Sequence, residues 1–269
     1  MADTDRATSL YIDLLKRALT ASIYDESGWE IKTSRKGRIG SLLYRHLRTK
    51  SLLVVRAKKF DTVRRETGAD WPLFGFTMVG HRRLENVQYC VEDVLRNNVP
   101  GDFIETGAWR GGATIFMRAL LSVYNVTDRT VWVADSFEGL PAPKDEADGT
   151  DLSEVDTLKV SLEQVQSNFA RFGLLDDQVR FLKGWFCDTL PSAPIDKLAI
   201  LRLDGDMYTS TMDSLVNLYS KVSKGGFVIV DDYYSWPSCK RAVTEFVASN
   251  GIKADIKTID WTGAYWQVQ

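Results

Sequence analysis

The chain has 269 residues, 44% hydrophobic and 26% charged, with a net charge of −2. This is the balance of a globular protein whose core needs neither disulfides nor a structural metal. No run of about 18 apolar residues exists, which excludes a membrane-spanning helix. The three cysteines, Cys90, Cys187 and Cys239, make no zinc or disulfide pattern. The opening Met1-Ala2-Asp3-Thr4-Asp5-Arg6 lacks the charge-then-apolar order of a secretory signal, so a cytoplasmic location is expected.

Near the amino terminus, Thr8-Ser9 reads as a helix cap before Tyr11, Leu14, Leu15, Ala18 and Leu19. From Ile31 to Arg65 the chain holds twelve Lys/Arg and one acid, Asp61, while the remainder is strongly acidic. Such a segment is a contact surface for an anionic partner, a solvated amphipathic helix, or a helix docked on the chain's own acidic domain. Leu52, Val55, Phe60 and Val63 predict a second helix ending near Gly68, and residues 71–76 a loop. Leu84, Val87, Val91, Val94 and Leu95 predict a third helix, closed by the boundary Asn97-Asn98-Val99-Pro100-Gly101.

From Asp102 strands and helices alternate. Strands are predicted at 102–106, 130–134, 179–182, 197–203 and 226–230, with a closing pair at 256–259 and 264–268. Helices are predicted at 113–124, 162–172, 212–222 and 238–249. The pattern gives an α/β fold: a mainly parallel, doubly wound sheet with helices on both faces. An N-terminal helical extension over 1–100 precedes the core at 101–269.

The first core strand runs into Glu105-x-Gly107-x-x-x-Gly111-Gly112. Glycine allows close approach of a ligand to the backbone and positive φ. A dinucleotide-binding loop would place glycine where Trp109 stands. Glu105 disfavours a pyrophosphate and favours a cationic ligand, such as the sulfonium and ammonium of S-adenosylmethionine. Trp109, Arg110, Gly111 and Gly112 complete this candidate cofactor loop. Asp135-Ser136, after the second strand, suits ribose hydroxyls, and Trp185 could cover an adenine.

Two acidic clusters, Asp204-Gly205-Asp206 and Asp231-Asp232, each follow an apolar strand. Carboxylates converging at strand ends repel one another unless a cation lies between them. Neither His46 nor His81 follows a strand, so a histidine base is disfavoured. Asp204, Asp231 and Asp232 are therefore candidate ligands of a hard divalent cation, Mg2+, that polarises a hydroxyl, with Asp204 as catalytic base. Asp206 reads as more structural, capping a helix that starts near Thr209.

Several motifs together resemble the macrocin O-methyltransferases: 10–15, 76–80, 105–112, Asp135-Ser136-Phe137-Glu138-Gly139-Leu140-Pro141, Leu203-Asp204-Gly205-Asp206-x-Tyr208-x-Ser210-Thr211 and Asp231-Asp232-Tyr233. The resemblance implies a class I methyltransferase, a Rossmann-like seven-stranded sheet ending in a hairpin. It also implies magnesium-dependent methyl transfer from S-adenosylmethionine to a sugar hydroxyl, with metal ligands at Asp204, Asp231 and Asp232 and a cofactor contact at Met78. It further implies a homodimer or larger homo-oligomer. The long basic segment and Thr209, where the family often carries an acid, depart from the pattern where the acceptor would be recognised. A deoxysugar, an oligosaccharide or a glycolipid sugar stays open as acceptor. A catechol-type O-methyltransferase, a nucleic-acid-binding methyltransferase using 31–65 and a scaffold without turnover are the alternatives. Nucleic acid is the weaker of these, because Asp204-Gly205-Asp206-Met207 lacks the Asn/Asp-Pro-Pro-Tyr of base methylation.

Overall fold

The computed structural model describes residues 2–24, 29–31, 46, 55–57, 60–70, 72 and 74–269. Helix α1 (Ala2–Leu19) is followed by strands β1 (Trp29–Ile31) and β2 (Val55–Ala57), then by α2 (Thr62–Glu66) and α3 (His81–Arg96). The core adds β3 (Asp102–Thr106), α4 (Gly112–Val123), β4 (Val131–Asp135), α5 (Leu162–Arg171), β5 (Val179–Lys183), α6 (Phe186–Thr189) and β6 (Leu198–Leu203). It closes with α7 (Tyr208–Leu218), β7 (Val222–Val230), α8 (Pro237–Ser249), β8 (Lys257–Thr258) and β9 (Ala264–Gln267).

Seven strands form one sheet in the order β5-β4-β3-β6-β7-β9-β8, parallel except for β9, which runs antiparallel to both neighbours. All six residues of β6 are buried, as expected of a strand covered on both faces. Its one charged residue, Arg202, lies beside Glu105 of β3 and Ile229 of β7. Apolar cores fill both sides of the sheet. One holds Phe103, Ile200 and Phe227 together with Ile12, Leu15 and Leu19 of α1 and Leu84 and Val91 of α3. The other holds Ile104, Leu201, Val228 and Trp266 with residues of α7 and α8. Helices α1 and α3 thus share a core with the sheet.

The strand order reverses between β3 and β6, the place where open parallel sheets leave a crevice. There the hydrogen-bond ladder continues past the strand ends. Gly107 N donates to Ala134 O (2.8 Å), Asp204 N to Thr106 O (2.9 Å) and Asp231 N to Leu203 O (2.9 Å). Three residues that matter for chemistry are therefore fixed by backbone bonds on adjacent strands.

The amino-terminal region departs from its predicted elements. α1 begins at Ala2, so Thr8 and Ser9 lie inside it, and its buried stripe is Ile12, Leu15, Lys16 and Leu19 rather than one containing Tyr11 and Leu14. The second predicted helix is divided. Val55–Ala57 pairs antiparallel with Trp29–Ile31, and among the described residues of this stretch only Thr62–Glu66 is helical. β-branched Val55 favours extended backbone, and the Asp61 side chain caps α2 by accepting from Arg64 N, fixing a late start. Leu52 lies outside the described residues. α7 starts four residues earlier than its apolar spacing suggests, and β7 extends back to Val222.

Candidate active site

The loop after β3 is shaped by its contacts. Gly107 has φ +94°, and a Cβ there would meet the Asp204 carbonyl oxygen at 1.9 Å. Trp109 takes the left-handed conformation with φ +47°. Asp135 Oδ2 accepts from Ala108 N (2.7 Å) and Trp109 N (3.3 Å), and its Oδ1 accepts from Phe137 N (2.7 Å). Burial raises the Asp135 carboxyl, and these N–H donors oppose the shift. Asp135 thus ties together the two turns that border the crevice.

Arg110, Gly111 and Gly112 face elsewhere. Arg110 donates to Gly75 O (2.8 Å) with its guanidinium over the Trp109 ring at 4.2 Å. Gly111 N bonds Ala108 O, and Gly112 N bonds Phe76 O at 2.9 Å. The first turn of α4 is thereby closed by the chain segment 75–76, which delivers Met78 to the site.

Two adjoining cavities occupy the crevice. The first, about 310 Å³, is lined by Met78, Gly107, Trp109, Asp135, Ser136 and Trp185, all anticipated from the sequence, and also by Leu140, Phe186 and Ser210, which were not. The second, about 630 Å³, is lined by Glu105, Asp204, Asp206, Asp231, Asp232 and Arg83, with apolar walls from Leu152, Val155, Trp236 and Trp261. Met78, Trp109, Leu158, Asp204 and Asp206 border both. The loop carrying Leu140 to Leu158 is fastened twice. Trp109 Nε1 donates to Thr157 O (2.8 Å), and Asp148 Oδ1 accepts from Thr209 N (2.7 Å).

The carboxylates behave as a unit. Oxygens of Asp204, Asp231 and Asp232 lie within 4.8 Å of one another. At that separation a pair of carboxylates repels by about 3–4 kcal/mol for an effective dielectric of ~20. Part of this is offset from below. Arg202 donates to Asp204 Oδ2 (2.8 Å), Asp231 and Glu105, and Arg83 donates to Asp231 and, at 3.1 Å, to Asp260. The rest is uncompensated. Asp232 Oδ2 and Glu105 Oε2 are buried with no partner among the described residues. Burial, with Arg202 opposing it, pushes the Glu105 carboxyl up to about 8. Burial, then Asp204 and Asp231, push Asp206 up to about 8. Burial raises Asp204, and Asp232 goes well above its usual range, for the same reasons. An all-oxygen donor set with an orphaned buried oxygen fits a hard divalent cation.

Two predicted placements change. Asp206, with φ +56°, does not cap α7; it borders both cavities. The N-cap of α7 is Met207, without a side-chain bond, and the acid serving that turn is Asp148 from the facing loop. Glu105 lies on the carboxylate side of the crevice, paired with Arg202, and not in the smaller cavity. Neither histidine lines either of these two cavities; His81 Nε2 meets Ser22 Oγ at 2.8 Å.

Over residues 8–268 the sequence matches the macrocin O-methyltransferase (TylF) family. The chain belongs to that family. Demethyldecarbamoylnovobiocin O-methyltransferase of Streptomyces niveus is 48% identical over 270 residues, spanning 98% of this chain and 95% of the relative. A Streptomyces olivaceus enzyme, 8-demethyl-8-(2,3-dimethoxy-alpha-L-rhamnosyl)-tetracenomycin-C 4'-O-methyltransferase, is 48% identical over 98% of this chain and 94% of its own length. The solved structure of the O-methyltransferase NovP superposes with a TM-score of 0.84 at 47% identity, covering 97% of this chain and 99% of that one. The macrocin O-methyltransferase fold expected from the sequence is thus present. The chain is an S-adenosylmethionine-dependent O-methyltransferase.

Proposed function

We propose that this enzyme moves the methyl group of S-adenosylmethionine to a hydroxyl of a sugar borne on a largely apolar molecule, with Mg2+ held by Asp204, Asp231 and Asp232. The observation that carries the proposal is the three-aspartate cluster in the larger cavity, with its orphaned Asp232 oxygen, whose Asp204 also borders the smaller one.

The smaller cavity suits the methyl donor. Trp185, Leu140 and Phe186 offer apolar surface to an adenine, and Asp135 and Ser136 offer polar atoms to the ribose. Gly107 lines this cavity and, lacking a side chain, lets its backbone pack against the Asp204 carbonyl, while Arg110, Gly111 and Gly112 act by holding the loop and Met78 in place. The unpartnered oxygen of Glu105, which lines the larger cavity, supports a cationic neighbour there.

The bound cation would supply Lewis acidity that makes an alcohol easier to ionise. Asp204 is the most open of the Arg202-bound carboxylates, with 28% side-chain exposure, and its raised proton affinity suits it to accept the hydroxyl proton. The hydroxyl oxygen then forms its bond to the methyl carbon as the carbon–sulfur bond breaks, leaving S-adenosylhomocysteine. Holding both partners in line supplies much of the acceleration.

The larger cavity supports a neutral glycoside. Its indoles and aliphatic side chains suit sugar C–H faces and an apolar scaffold. Its cationic lining residue among those described, Arg83, is committed to Asp231 and Asp260. The rhamnosyl acceptor in the name of the Streptomyces olivaceus relative supports the same class. Residues 1–100 then serve as an extension completing the acceptor side through Gly68, Thr77 and Val79. Exposed Leu10, Tyr11 and Leu14 on α1 support pairing between copies, and the free thiols accord with a reducing cytoplasm.

The test is transfer of labelled methyl to a panel of neutral glycosides, free catechols and RNA. Labelled glycoside is expected; labelling confined to catechols or RNA overturns the sugar assignment.

A further inference from the structure

Arg83 sits in the first turn of α3, 6% exposed. A cation there opposes the helix dipole, and desolvating a guanidinium is costly unless it is fully paired. Both penalties point to a specific task. Its Nη1 donates to Asp231 Oδ2, and Arg202 Nη2 donates to Asp231 Oδ1, so both oxygens of that carboxylate are held. Its Nε donates to Asp260 Oδ2 at 3.1 Å. The other Asp260 oxygen accepts from Thr262 N (3.0 Å) and Gly263 N (2.9 Å), shaping the turn before β9. That turn carries Trp261 and Thr262 into the wall of the larger cavity. Trp261 Nε1 in turn donates to Thr67 O (2.7 Å), just beyond α2.

The slot for the guanidinium is built by absence of side chains. A Cβ on Gly68 would lie 2.2 Å from Arg83 Nη2, and one on Gly263 would lie 3.3 Å from Arg83 Cδ. Gly68 also has φ +67°. Two glycines from distant parts of the chain therefore admit one arginine between the acceptor wall and Asp231.

We propose that Arg83 is a positioning residue that fixes the Trp261 acceptor wall in register with Asp231, coupling metal affinity to the shape of the acceptor cavity. This rests on the reading of Asp204, Asp231 and Asp232 as a metal site. Arg83 does not line the donor cavity, so donor affinity stays outside its influence. A purely structural ion pair would instead change all three properties together, through stability.

The experiment uses the full chain, wild type, Arg83→Lys and Asp260→Asn. Mn2+ affinity is read by water-proton relaxation, S-adenosylhomocysteine affinity by calorimetry, and the wall by fluorine NMR of 5-fluorotryptophan, with Trp261→Phe assigning the resonance. Arg83→Lys should weaken Mn2+ binding about tenfold or more, as loss of a partner behind a metal ligand does. It should also move the Trp261 resonance and leave S-adenosylhomocysteine affinity within about twofold of wild type. Asp260→Asn should move the same resonance with a smaller loss of Mn2+ affinity. Wild-type Mn2+ affinity in Arg83→Lys, an unmoved Trp261 resonance, or a parallel fall in S-adenosylhomocysteine affinity overturns the proposal. A wild-type protein that binds no Mn2+ removes the metal reading itself, and the coupling with it.

Discussion

Gly107 and Asp204 meet backbone to backbone: a Cβ on the glycine would sit 1.9 Å from the aspartate carbonyl oxygen. The loop proposed to admit the methyl donor and the turn that carries the proposed base are therefore built against each other. Gly107→Ala adds both this clash and the strain of a side chain at φ +94°. The variant should lose more than about 2 kcal/mol, lowering Tm by about 5 °C or more, and bind S-adenosylhomocysteine more weakly. Thermal melting and calorimetry check both.

Arg202 is 1% exposed beneath Glu105, Asp204 and Asp231. Its replacement by Met leaves buried carboxylates without their cation. Loss of one partner from such a network costs about 3–5 kcal/mol. Denaturant unfolding of Arg202→Met without metal should show that loss, and Mn2+ should recover part of it. Wild-type stability would contradict the network.

Arg202 and Arg83 mark the limit of what could be read from the sequence. The carboxylate cluster was legible because parallel neighbours lie about 4.8 Å apart, so residues just beyond adjacent strand ends must converge. The apolar runs of β3, β6 and β7 located those ends. Arg202 carries a local signal: a charge inside Leu198-Ala199-Ile200-Leu201-Arg202-Leu203 must find buried partners. Arg83 offered less. Its partners lie 148 and 177 residues away, beyond any local periodicity. Asp148 was hidden for the same reason, since it caps a helix 61 residues downstream. At Val55, helical spacing and β-branched preference pointed in opposite directions, and strand pairing decided the outcome.

Asp148→Ala should free the loop from the start of α7. Loss of a capping carboxylate costs about 1 kcal/mol, and Leu140 and Leu158 would no longer be held over the donor cavity. Faster proteolysis between 139 and 160 and weaker S-adenosylhomocysteine binding are the expected results.

Away from the site, Arg118 hydrogen bonds at 3.0 and 2.5 Å hold the Asp176 carboxyl below its usual range. A depressed folded-state value contributes stability that is complete above the ordinary aspartate pKa of about 4 and disappears as pH falls through the lowered value. Asp176→Asn should therefore melt about 1–3 °C below wild type at pH 7. The gap should narrow progressively as pH falls below about 4. Melting curves across this range check the sign.

The central claim is that the Asp204, Asp231 and Asp232 carboxylates activate a sugar hydroxyl through a divalent cation. Its most direct test is the rate of labelled-methyl transfer to an accepted glycoside, before chelation, after it, and after Mg2+ is restored. The rate should fall at least about a hundredfold in chelator, return with Mg2+, and stay low in Asp204→Asn and Asp231→Asn under all three conditions. Full activity in chelator, or in either variant, would contradict the claim.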